Sequence, residues 1–389
     1  MSTLKVDNIR HNGATSDAIT MASDGTCTAI ITNNLSNRRI NINGGMQIWQ
    51  RSTSLSVSEG TNEGVTACDR YGFEFGNASA GAATISRSTD VPTNLGFPYS
   101  FKIDVTTLNN MSATNTQIRF PYRFEAQDIV SSGWKYNDPN SFLTISFYFK
   151  SNKSGTNKLP VQIRTFDGTA YFYIAEITQS DTNWNRYTVK IPGNSNLTFD
   201  NDTGMGLEIA WYFAVGSFYH TTADTWGTTQ KHGTSNSTNY FDSTSNDMFI
   251  TGIQIESTTN GIATDFEHRS FTEELTRCYR YYNKVFDQEG QGGEKPASLA
   301  VYENNSTICT TFNFPKMRVI PTLDITNGTN KFMVRCAGVS DYFNTMQMRY
   351  GTTTTAEIFT SSNVSGTAGT SGFLRGGDTD VYIAFSAEF

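Results

Sequence analysis

The sequence predicts an all-β protein: a β-sandwich, a short linking α-helix, a smaller C-terminal β-sandwich domain and an extended N-terminal arm. Aromatic residues make up 13 % of the 389-residue chain although only 37 % is hydrophobic, and Gly, Asn, Ser and Thr separate the apolar runs. Aromatic and β-branched residues suit a pleated, half-buried surface, and Gly and Asn suit tight turns. Within the runs, apolar and polar residues alternate, which is the pattern of strands with one buried face.

The bulk composition argues against several classes of function. The net charge of −7 comes without a basic stripe, so we expect no nucleic-acid binding, which needs clustered Lys or Arg. No apolar run reaches about 18 residues, so we expect no membrane insertion. The opening MSTLKVDNIRHNGATSD lacks the apolar core of a signal peptide, so we expect synthesis and retention in a cytoplasm until another process releases the protein.

Cysteine and histidine spacing gives no sign of a metal or cofactor. The cysteines are scattered without the spacing of a zinc site, and the histidines form no paired motif. We therefore expect buried, reduced thiols, no metal and no cofactor. These residues are Cys27, Cys68, Cys278, Cys309 and Cys336, with His11, His220, His232 and His268.

Residues 1–40 predict the extended arm. They are polar and rich in turn-forming residues, and they hold only a brief alternation around Ile19 and Met21. That is too little apolar surface for independent folding. We expect this arm to gain stability by packing against copies of itself or by docking into a partner.

Residues 41–268 form the largest block and predict an antiparallel sandwich. The block opens with NINGGMQIWQRST (41–53) and ACDRYGFEF (67–75), where Gly44 and Gly45 permit a turn with positive φ. Alternating segments then recur with Gly, Asn and Ser between them. They are YSFKIDV (99–105), FLTISFYF (142–149), YFYIAEI (171–177), RYTVKI (186–191), LEIAWYFAV (207–215) and FITGIQIE (249–256).

Residues 269–285 predict the linking helix. Ser270 is suited to the N-cap, and Glu273 follows at the capping-box spacing. Apolar residues then recur at the helical period and predict one buried stripe that seats the sandwich against the C-terminal domain or a neighbouring subunit. The stripe consists of Phe271, Leu275, Cys278, Tyr279 and Tyr282.

Residues 286–389 predict a C-terminal β domain. A charged, Gly-rich break, FDQEGQGGEKP (286–296), precedes segments that alternate again, such as ASLAVYE and VYIAFSAEF. Pro315 and Pro321 cannot donate to a strand ladder, so we expect both at strand ends or at a sheet edge.

Several of these segments resemble structural proteins of tailed bacteriophages, in particular tail fibres of marine and cyanobacterial phages. The matching segments are NGGMQIWQRST with its following Asp69–Arg70–Tyr71, the exit DFEHRSFTEEL, and FNFPKMRVIPTLDI (312–325). The N-terminal run MSTLKVDNI is similar to the attachment arms of such fibres. The segment GIQIESTTNGIATDFEHRS resembles the last strand and exit loop of jelly rolls of the carbohydrate-binding-module type, so residues 41–268 are expected to form one jelly roll.

The resemblance implies a virion structural protein, a tail fibre or appendage that helps the particle recognise its host. It implies a homotrimer, attachment to other tail proteins through the arm of residues 1–40, and binding of a host-surface glycan. It places the protein in the phage tail after synthesis in the host cytoplasm. Alternatives are a polysaccharide-degrading tailspike enzyme, a head-attached fibre or adaptor without a receptor role, and a non-viral secreted sugar-binding module.

The sequence gives no convincing catalytic pair. Glycoside hydrolysis needs two positioned carboxylates, and the neighbouring pairs have local structural explanations. Asp265 and Glu267 flank the exit from the sandwich, while Glu273 and Glu274 occupy a first helical turn, where the helix dipole favours negative charge. We therefore expect no catalytic residues and a protein that is not an enzyme.

A glycan site is better motivated. Sugar rings stack their C–H faces on aromatic side chains, and small polar groups bind the hydroxyls. The segment of residues 216–247 carries Phe218, Tyr219, Trp226 and Tyr240 among Thr, Ser and Asn, in the manner of an exposed connecting loop. The alternative is that the rings pin this loop to the sandwich or to a neighbouring subunit. The candidate glycan-binding residues are Tyr219, Trp226 and Tyr240.

Overall fold

The computed structural model describes residues 5–29, 37–61, 64, 67–78, 80–288 and 294–389. Strands make up 44 % of these described residues and helix 4 %, which confirms the predicted all-β class. The described residues form a small N-terminal sheet, two six-stranded sheets of a sandwich, and a C-terminal domain with a seven-stranded and a three-stranded sheet.

The N-terminal sheet is small and open to solvent. Its largest apolar side chains remain accessible, since Ile9 is 49 % exposed and Met21 36 %. A sheet of this size buries almost no apolar surface and has no core of its own. Its three strands pair consecutively and antiparallel: β1 (Asn8–Ile9), β2 (Ile19–Met21) and β3 (Cys27–Ala29).

The sandwich consists of two antiparallel sheets that face each other across one core. We call them the front sheet and the back sheet. In spatial order, the front sheet contains β14 (Trp226–Gly227), β11 (Phe172–Gln179), β10 (Asn157–Thr165), β13 (Met205–Val215), β8 (Gln117–Glu125) and β5 (Glu74–Gly76). The back sheet contains β12 (Asn185–Pro192), β9 (Phe142–Ser151), β15 (Asp247–Thr258), β7 (Ser100–Thr107), β6 (Ala82–Ser88) and β4 (Ser54–Ser58).

The core between the two sheets follows from the alternation in sequence. In β9, Leu143, Ile145, Phe147 and Phe149 are all fully buried, and the ring of Trp211 from β13 meets Phe147 edge-on at 5.5 Å between centroids. Aromatic pairs of this geometry add to the free energy gained from burial. A five-residue helix, α1 (Ala126–Val130), follows β8 and covers one end of the core.

The Asn-Gly-Gly segment that opens the sandwich packs closely against the strand β15. The positive φ angles that the two glycines would permit fall instead on their neighbours Asn43 (56°) and Met46 (54°). Gly44 is needed for another reason: a Cβ on it would lie 2.0 Å from the carbonyl oxygen of Ile253. The carbonyl of Gly44 in turn accepts the Ile253 N–H at 2.9 Å, which fixes the segment against β15 where that strand bulges.

The linking helix, α2 (Phe271–Cys278), begins as predicted and ends early. Ser270 caps it by accepting the Glu273 N–H at 3.3 Å. The chain leaves the helix after Cys278, and Tyr282 opens the strand β16 (Tyr282–Asp287) of the C-terminal domain, so the predicted helix over 269–285 is too long. Tyr282 therefore does not lie on the helix.

The predicted apolar stripe of this helix is not its buried face. Phe271 is 57 % exposed, Leu275 and Tyr279 are half-buried, and the residues fully turned inward are Glu274 and Cys278. The cause is electrostatic, because two buried guanidinium groups face the helix and require a carboxylate.

Those guanidinium groups belong to Arg39 and Arg269, both nearly inaccessible to solvent. Glu274 accepts from Arg39 and from the backbone N–H of Asn43, and one of its oxygens lies 3.5 Å from Arg269. Glu267 accepts from Arg269 at 3.1 Å. We call Arg39, Glu267, Arg269 and Glu274 the entry cluster, because it joins the start of the sandwich to the helix.

The C-terminal domain has two antiparallel sheets over a second core. In spatial order, the seven-stranded sheet contains β21 (Val339–Phe343), β20 (Phe332–Cys336), β24 (Ser371–Gly376), β17 (Pro296–Asn304), β18 (Thr307–Asn313), β23 (Thr355–Thr360) and β22 (Gln347–Gly351). The three-stranded sheet contains β16, β25 (Tyr382–Ser386) and β19 (Thr322–Ile325).

Arg70 is central to the contact between the sandwich and the C-terminal domain. Its guanidinium is buried, donates to Glu388 and to the Arg123 carbonyl, and lies 3.4 Å above the ring centroid of Tyr281. Its backbone has a φ of 76°, a conformation that non-glycine residues adopt rarely and only where the surroundings enforce it. Burial of this cation therefore depends on a carboxylate supplied by the other domain.

Other polar contacts extend the same interface. Gln50 links the buried carboxylate of Asp69 to the Tyr282 carbonyl, and burial raises the pKa of Asp69. Arg280 donates twice to Glu125 at 2.6 Å, a bidentate geometry that gives strong ion pairs. The segments NGGMQIWQRST and ACDRYGFEF thus meet the C-terminal domain through their polar residues.

The entry cluster gives a direct test of this packing. Glu274→Gln leaves the buried guanidinium of Arg39 without its carboxylate and removes one of the carboxylates beside Arg269, which keeps Glu267. We therefore expect it to lower the free energy of unfolding by about 3–5 kcal/mol. Glu273→Gln, one residue away, removes an exposed pair with Arg277 and should cost less than about 1 kcal/mol. Urea unfolding followed by tryptophan fluorescence measures both; equal midpoints for the two variants would contradict the role of the cluster.

Candidate functional site

The loop of residues 216–247 crosses the outer face of the front sheet. It begins with a 3-10 turn, Ser217–Tyr219, adds the edge strand β14 next to β11, and returns across the sheet before β15. The loop therefore places its aromatic side chains at different depths, which decides what each can contact.

Two of the three predicted glycan-binding residues face inward. Tyr240 is completely buried, and its hydroxyl donates to Gln179 at 3.2 Å. Tyr219 is only 9 % exposed, and its ring centroid lies 4.1 Å from that of His232. The expectation that these rings are presented to solvent is wrong: Tyr219 packs on the outer face of the front sheet beside Tyr212, and Tyr240 enters the core between the two sheets, where it contacts Phe149 and Phe213. Both residues instead fit the alternative interpretation, in which the rings pin the loop to the sandwich.

Trp226 lies at the surface and is half-buried. Its indole N–H donates to the Pro192 carbonyl at 2.9 Å, and its ring packs 5.2 Å from Tyr173. It lines a pocket of about 330 Å³, and five of the ten residues that line this pocket are threonines. The other lining residues are Phe172, Ile174, Thr221, Thr222, Thr225, Gly227, Thr228, Thr229 and Lys231.

Phe218 is the loop's exposed ring, at 63 % exposure. Lys231, which lines the pocket, donates to the Phe218 carbonyl at 2.8 Å, and its ammonium group lies 5.6 Å from the ring centroid. The sequence offered no means of choosing between Phe218 and its neighbour Tyr219, because an irregular loop has no period that separates inner from outer positions. We call Phe218, Trp226 and Lys231, with the threonines of the pocket, the loop site.

A buried polar network holds the loop site on the sheet. His232 lies within hydrogen-bonding distance of Gln162 (2.6 Å) and of the Tyr212 hydroxyl (3.0 Å), and its ring stacks on that of Tyr212. Burial, together with the positive charge of Arg119, lowers the pKa of His232 to about 3. The imidazole is therefore neutral at physiological pH and acts as a fixed hydrogen-bonding group beneath the loop.

Beside this network, four charges on the front sheet neutralise one another. Arg119 contacts Glu74 and Glu208 at 2.6 Å each, and Arg123 contacts the same two carboxylates at 2.6 and 2.9 Å. The arrangement is a closed ring of ion pairs across neighbouring strands. Each carboxylate oxygen of the ring has an arginine partner, so both glutamates are fully engaged in ion pairs.

The carboxylates considered for catalysis have structural contacts. Glu267 accepts the backbone N–H groups of residues 37, 38 and 39, and Glu274 belongs to the entry cluster. Within the described residues, no group of three His, Cys, Asp or Glu side chains is arranged to hold a metal ion. Cys27 is exposed and Cys309 and Cys336 are half-buried, so burial holds only for Cys68 and Cys278.

Comparisons with known proteins identify no family for this chain. No family model and no curated protein match the chain. Solved structures that match include the enzymatically active domain of tailspike protein 4 of bacteriophage CBA120, with 13 % identity over 57 % of this chain and 21 % of that chain, at a TM-score of 0.29. The family 11 carbohydrate-binding module of Clostridium thermocellum matches with 13 % identity over 56 % of this chain and all of that chain, at a TM-score of 0.27.

A family 22 carbohydrate-binding module, also from Clostridium thermocellum, matches with 8 % identity over 49 % of this chain and 88 % of that chain, at a TM-score of 0.26. This chain thus spans about a fifth of the tailspike structure and nearly the whole of the two modules. At these identities and TM-scores, none of the matches transfers a function to this chain. Among the helices of the described residues, none has the length and apolar character to span a membrane.

The neutral His232 predicts a specific loss of stability in acid. Unfolding restores an ordinary histidine pKa near 6.5, so between about pH 6.5 and 3 the unfolded chain binds a proton that the folded chain does not. The contribution of the neutral His232 to the free energy of unfolding is thus intact above pH 6.5, and below pH 6.5 it falls by up to about 1.4 kcal/mol per pH unit. Urea unfolding at pH 7 and at pH 4.5 measures this. The free energy of unfolding should fall between the two pH values by roughly 2 kcal/mol less in His232→Gln than in the parent. An identical fall in both proteins would contradict this assignment.

Proposed function

We propose that this protein is a non-catalytic virion component of a tailed phage, a tail fibre or appendage that binds a host-surface glycan through the loop site. The observation that carries the proposal is the exposed ring of Phe218 next to a threonine-lined pocket that contains Trp226. The resemblance of the opening, exit and FPKMRVIPTL segments to phage fibres supplies the biological setting.

The chemistry of the loop site suits a sugar. An exposed phenyl ring offers a platform for the apolar C–H face of a pyranose, and threonine hydroxyls both donate to and accept from sugar hydroxyls. Lys231 adds a donor that carries a charge. A pocket of about 330 Å³ is at the small end of the range for ligand sites, which fits one sugar unit of a longer chain.

The proposal of a non-catalytic role is supported by the state of two carboxylates on the front sheet. Glu74 and Glu208, which share the front sheet with the loop, are each held by two arginines. A general acid in glycoside hydrolysis needs a raised pKa. The guanidinium groups instead outweigh the burial that would raise it and hold the pKa of Glu74 below its usual value.

Assembly into a homotrimer is part of the proposal. The seven-stranded sheet of the C-terminal domain exposes an apolar stripe, in which Phe373 pairs with Leu299 and Cys309 pairs with both Val301 and Phe359. Leu299 is 66 % exposed and Phe373 49 %. Contiguous apolar surface of this kind is typical of association sites, and we assign it to contact between copies of this chain. The N-terminal arm would attach the assembly to other tail proteins.

Glycan binding is tested with Phe218→Ala and purified surface polysaccharide of the host, by calorimetry or surface plasmon resonance. Loss of an aromatic stacking platform should weaken binding by roughly 3–10-fold, the equivalent of about 0.5–1.5 kcal/mol. Phe271→Ala, which removes a similarly exposed ring (57 %) from α2, is the matched control and should bind like the parent. Equal loss in both variants would contradict the loop site, and release of reducing ends by the parent would favour a depolymerase.

Self-association is tested by light scattering after gel filtration. Leu299→Lys places a charge in the apolar stripe and should shift the parent trimer towards monomer, because burying an unpaired ammonium group is costly. Val339→Lys, at a position that is 71 % exposed on the edge strand β21, controls for added charge. A monomeric parent, or a trimer that tolerates Leu299→Lys, would contradict this interface.

A further inference from the structure

A cavity of about 610 Å³ lies between the sandwich and the C-terminal domain. The sandwich contributes its walls from the strand β4 and the segment after the Asn-Gly-Gly turn, and the C-terminal domain contributes side chains of β16, β19 and β25. Its volume lies within the usual range for small-molecule sites. The residues on which its chemistry depends are Arg51, Leu55, Tyr282, Asp324, Tyr382 and Glu388.

Two phenols and one carboxylate form a fixed group on the wall of this cavity. The hydroxyls of Tyr282 and Tyr382 each donate to Asp324 at 2.9 Å, one to each oxygen. Burial, followed by the neighbouring Asp324 carboxylate, raises the pKa of Tyr382 to about 12. Both phenols are therefore protonated and already use their hydrogens, which leaves lone pairs on their oxygens as acceptors.

Glu388 presents a further acceptor. One of its oxygens accepts from Arg70 at 2.5 Å. The other, Oε1, is buried and accepts no hydrogen bond from any described residue; the closest cation, on Arg51, is 3.8 Å away. A buried carboxylate oxygen without a donor is costly, so this position favours a molecule that supplies one.

The cations of the cavity are already engaged. Arg51 lies 3.6 Å above the ring centroid of Tyr282, and the Lys284 ammonium group contacts Asp287 at 2.9 Å. Among the described residues that line the cavity, the positive charges of Arg51 and Lys284 equal the negative charges of Asp324 and Glu388, so these residues together carry no net charge. This balance disfavours both an anionic and a cationic ligand and favours an uncharged molecule rich in hydroxyl donors.

We propose that this interdomain cavity is a second carbohydrate-binding site, which takes one or two residues of a neutral sugar. The sugar hydroxyls donate to Glu388 Oε1 and to the oxygens of Tyr282 and Tyr382, and its C–H groups contact Leu55 and Leu323. Because its walls come from both domains, a bound sugar stabilises their junction. The site is independent of the loop site, and its existence does not require that Phe218 bind glycan.

The experiment is saturation-transfer NMR and calorimetry on the full chain with D-glucose, D-galactose, D-mannose and N-acetyl-D-glucosamine as separate probes. We expect at least one of them to bind the parent and to raise its melting temperature. Tyr382→Phe removes one acceptor but keeps the ring, and it should weaken that binding by about tenfold. Tyr342→Phe, which alters a partly exposed phenol on the other sheet of the domain, should have no effect.

Further variants separate this site from the loop site. Phe218→Ala should leave the cavity ligand's affinity unchanged, and Glu388→Gln, with folding checked by circular dichroism, should reduce it. The proposal is overturned if none of the four sugars binds, if binding is lost in Phe218→Ala and retained in Tyr382→Phe, or if putrescine binds the cavity in their place.

Discussion

Buried guanidinium groups need carboxylate partners, and the architecture of this protein depends on that requirement. Arg39 and Arg269 are almost inaccessible to solvent, and Glu274 reaches both from the linking helix. Arg70 is equally buried and takes its carboxylate from Glu388 in the other domain. Leaving either set unpaired would cost several kcal/mol, so the helix and the C-terminal domain are held in position by charge pairing as much as by apolar packing.

This requirement also explains why the opening segments of the sandwich carry so many polar residues. In NGGMQIWQRST, Gly44 permits a close approach to β15, and Gln50 and Arg51 reach the C-terminal domain. Arg70 does the same from ACDRYGFEF. These segments, which carry the resemblance to phage fibres, form the junction between domains. The proposed loop site lies elsewhere, on the outer face of the front sheet, where a neutral His232 network supports it.

The interdomain junction and the loop site are separate, so binding at each would affect the two domains differently. A glycan held at Phe218 and Trp226 contacts the sandwich alone, so its binding leaves the two domains as they are. A sugar in the interdomain cavity contacts both, and its free energy of binding adds to that of the junction. The apolar stripe on the C-terminal sheet belongs to neither site and remains available for contact between copies.

The sequence by itself determined the all-β class, the alternating burial of strands such as β7 and the capped start of the helix at Ser270, because each depends on local spacing and local hydrogen bonds. The expectation of one buried face is wrong for β13 and β15, whose residues are buried on both faces. It did not determine which side of the helix is buried, since the partners of Glu274 lie more than two hundred residues away at Arg39 and Asn43. Nor did it separate exposed Phe218 from buried Tyr219 and Tyr240. An irregular loop has no repeating period, so the depth of each ring is decided only by what the tertiary structure places beneath it.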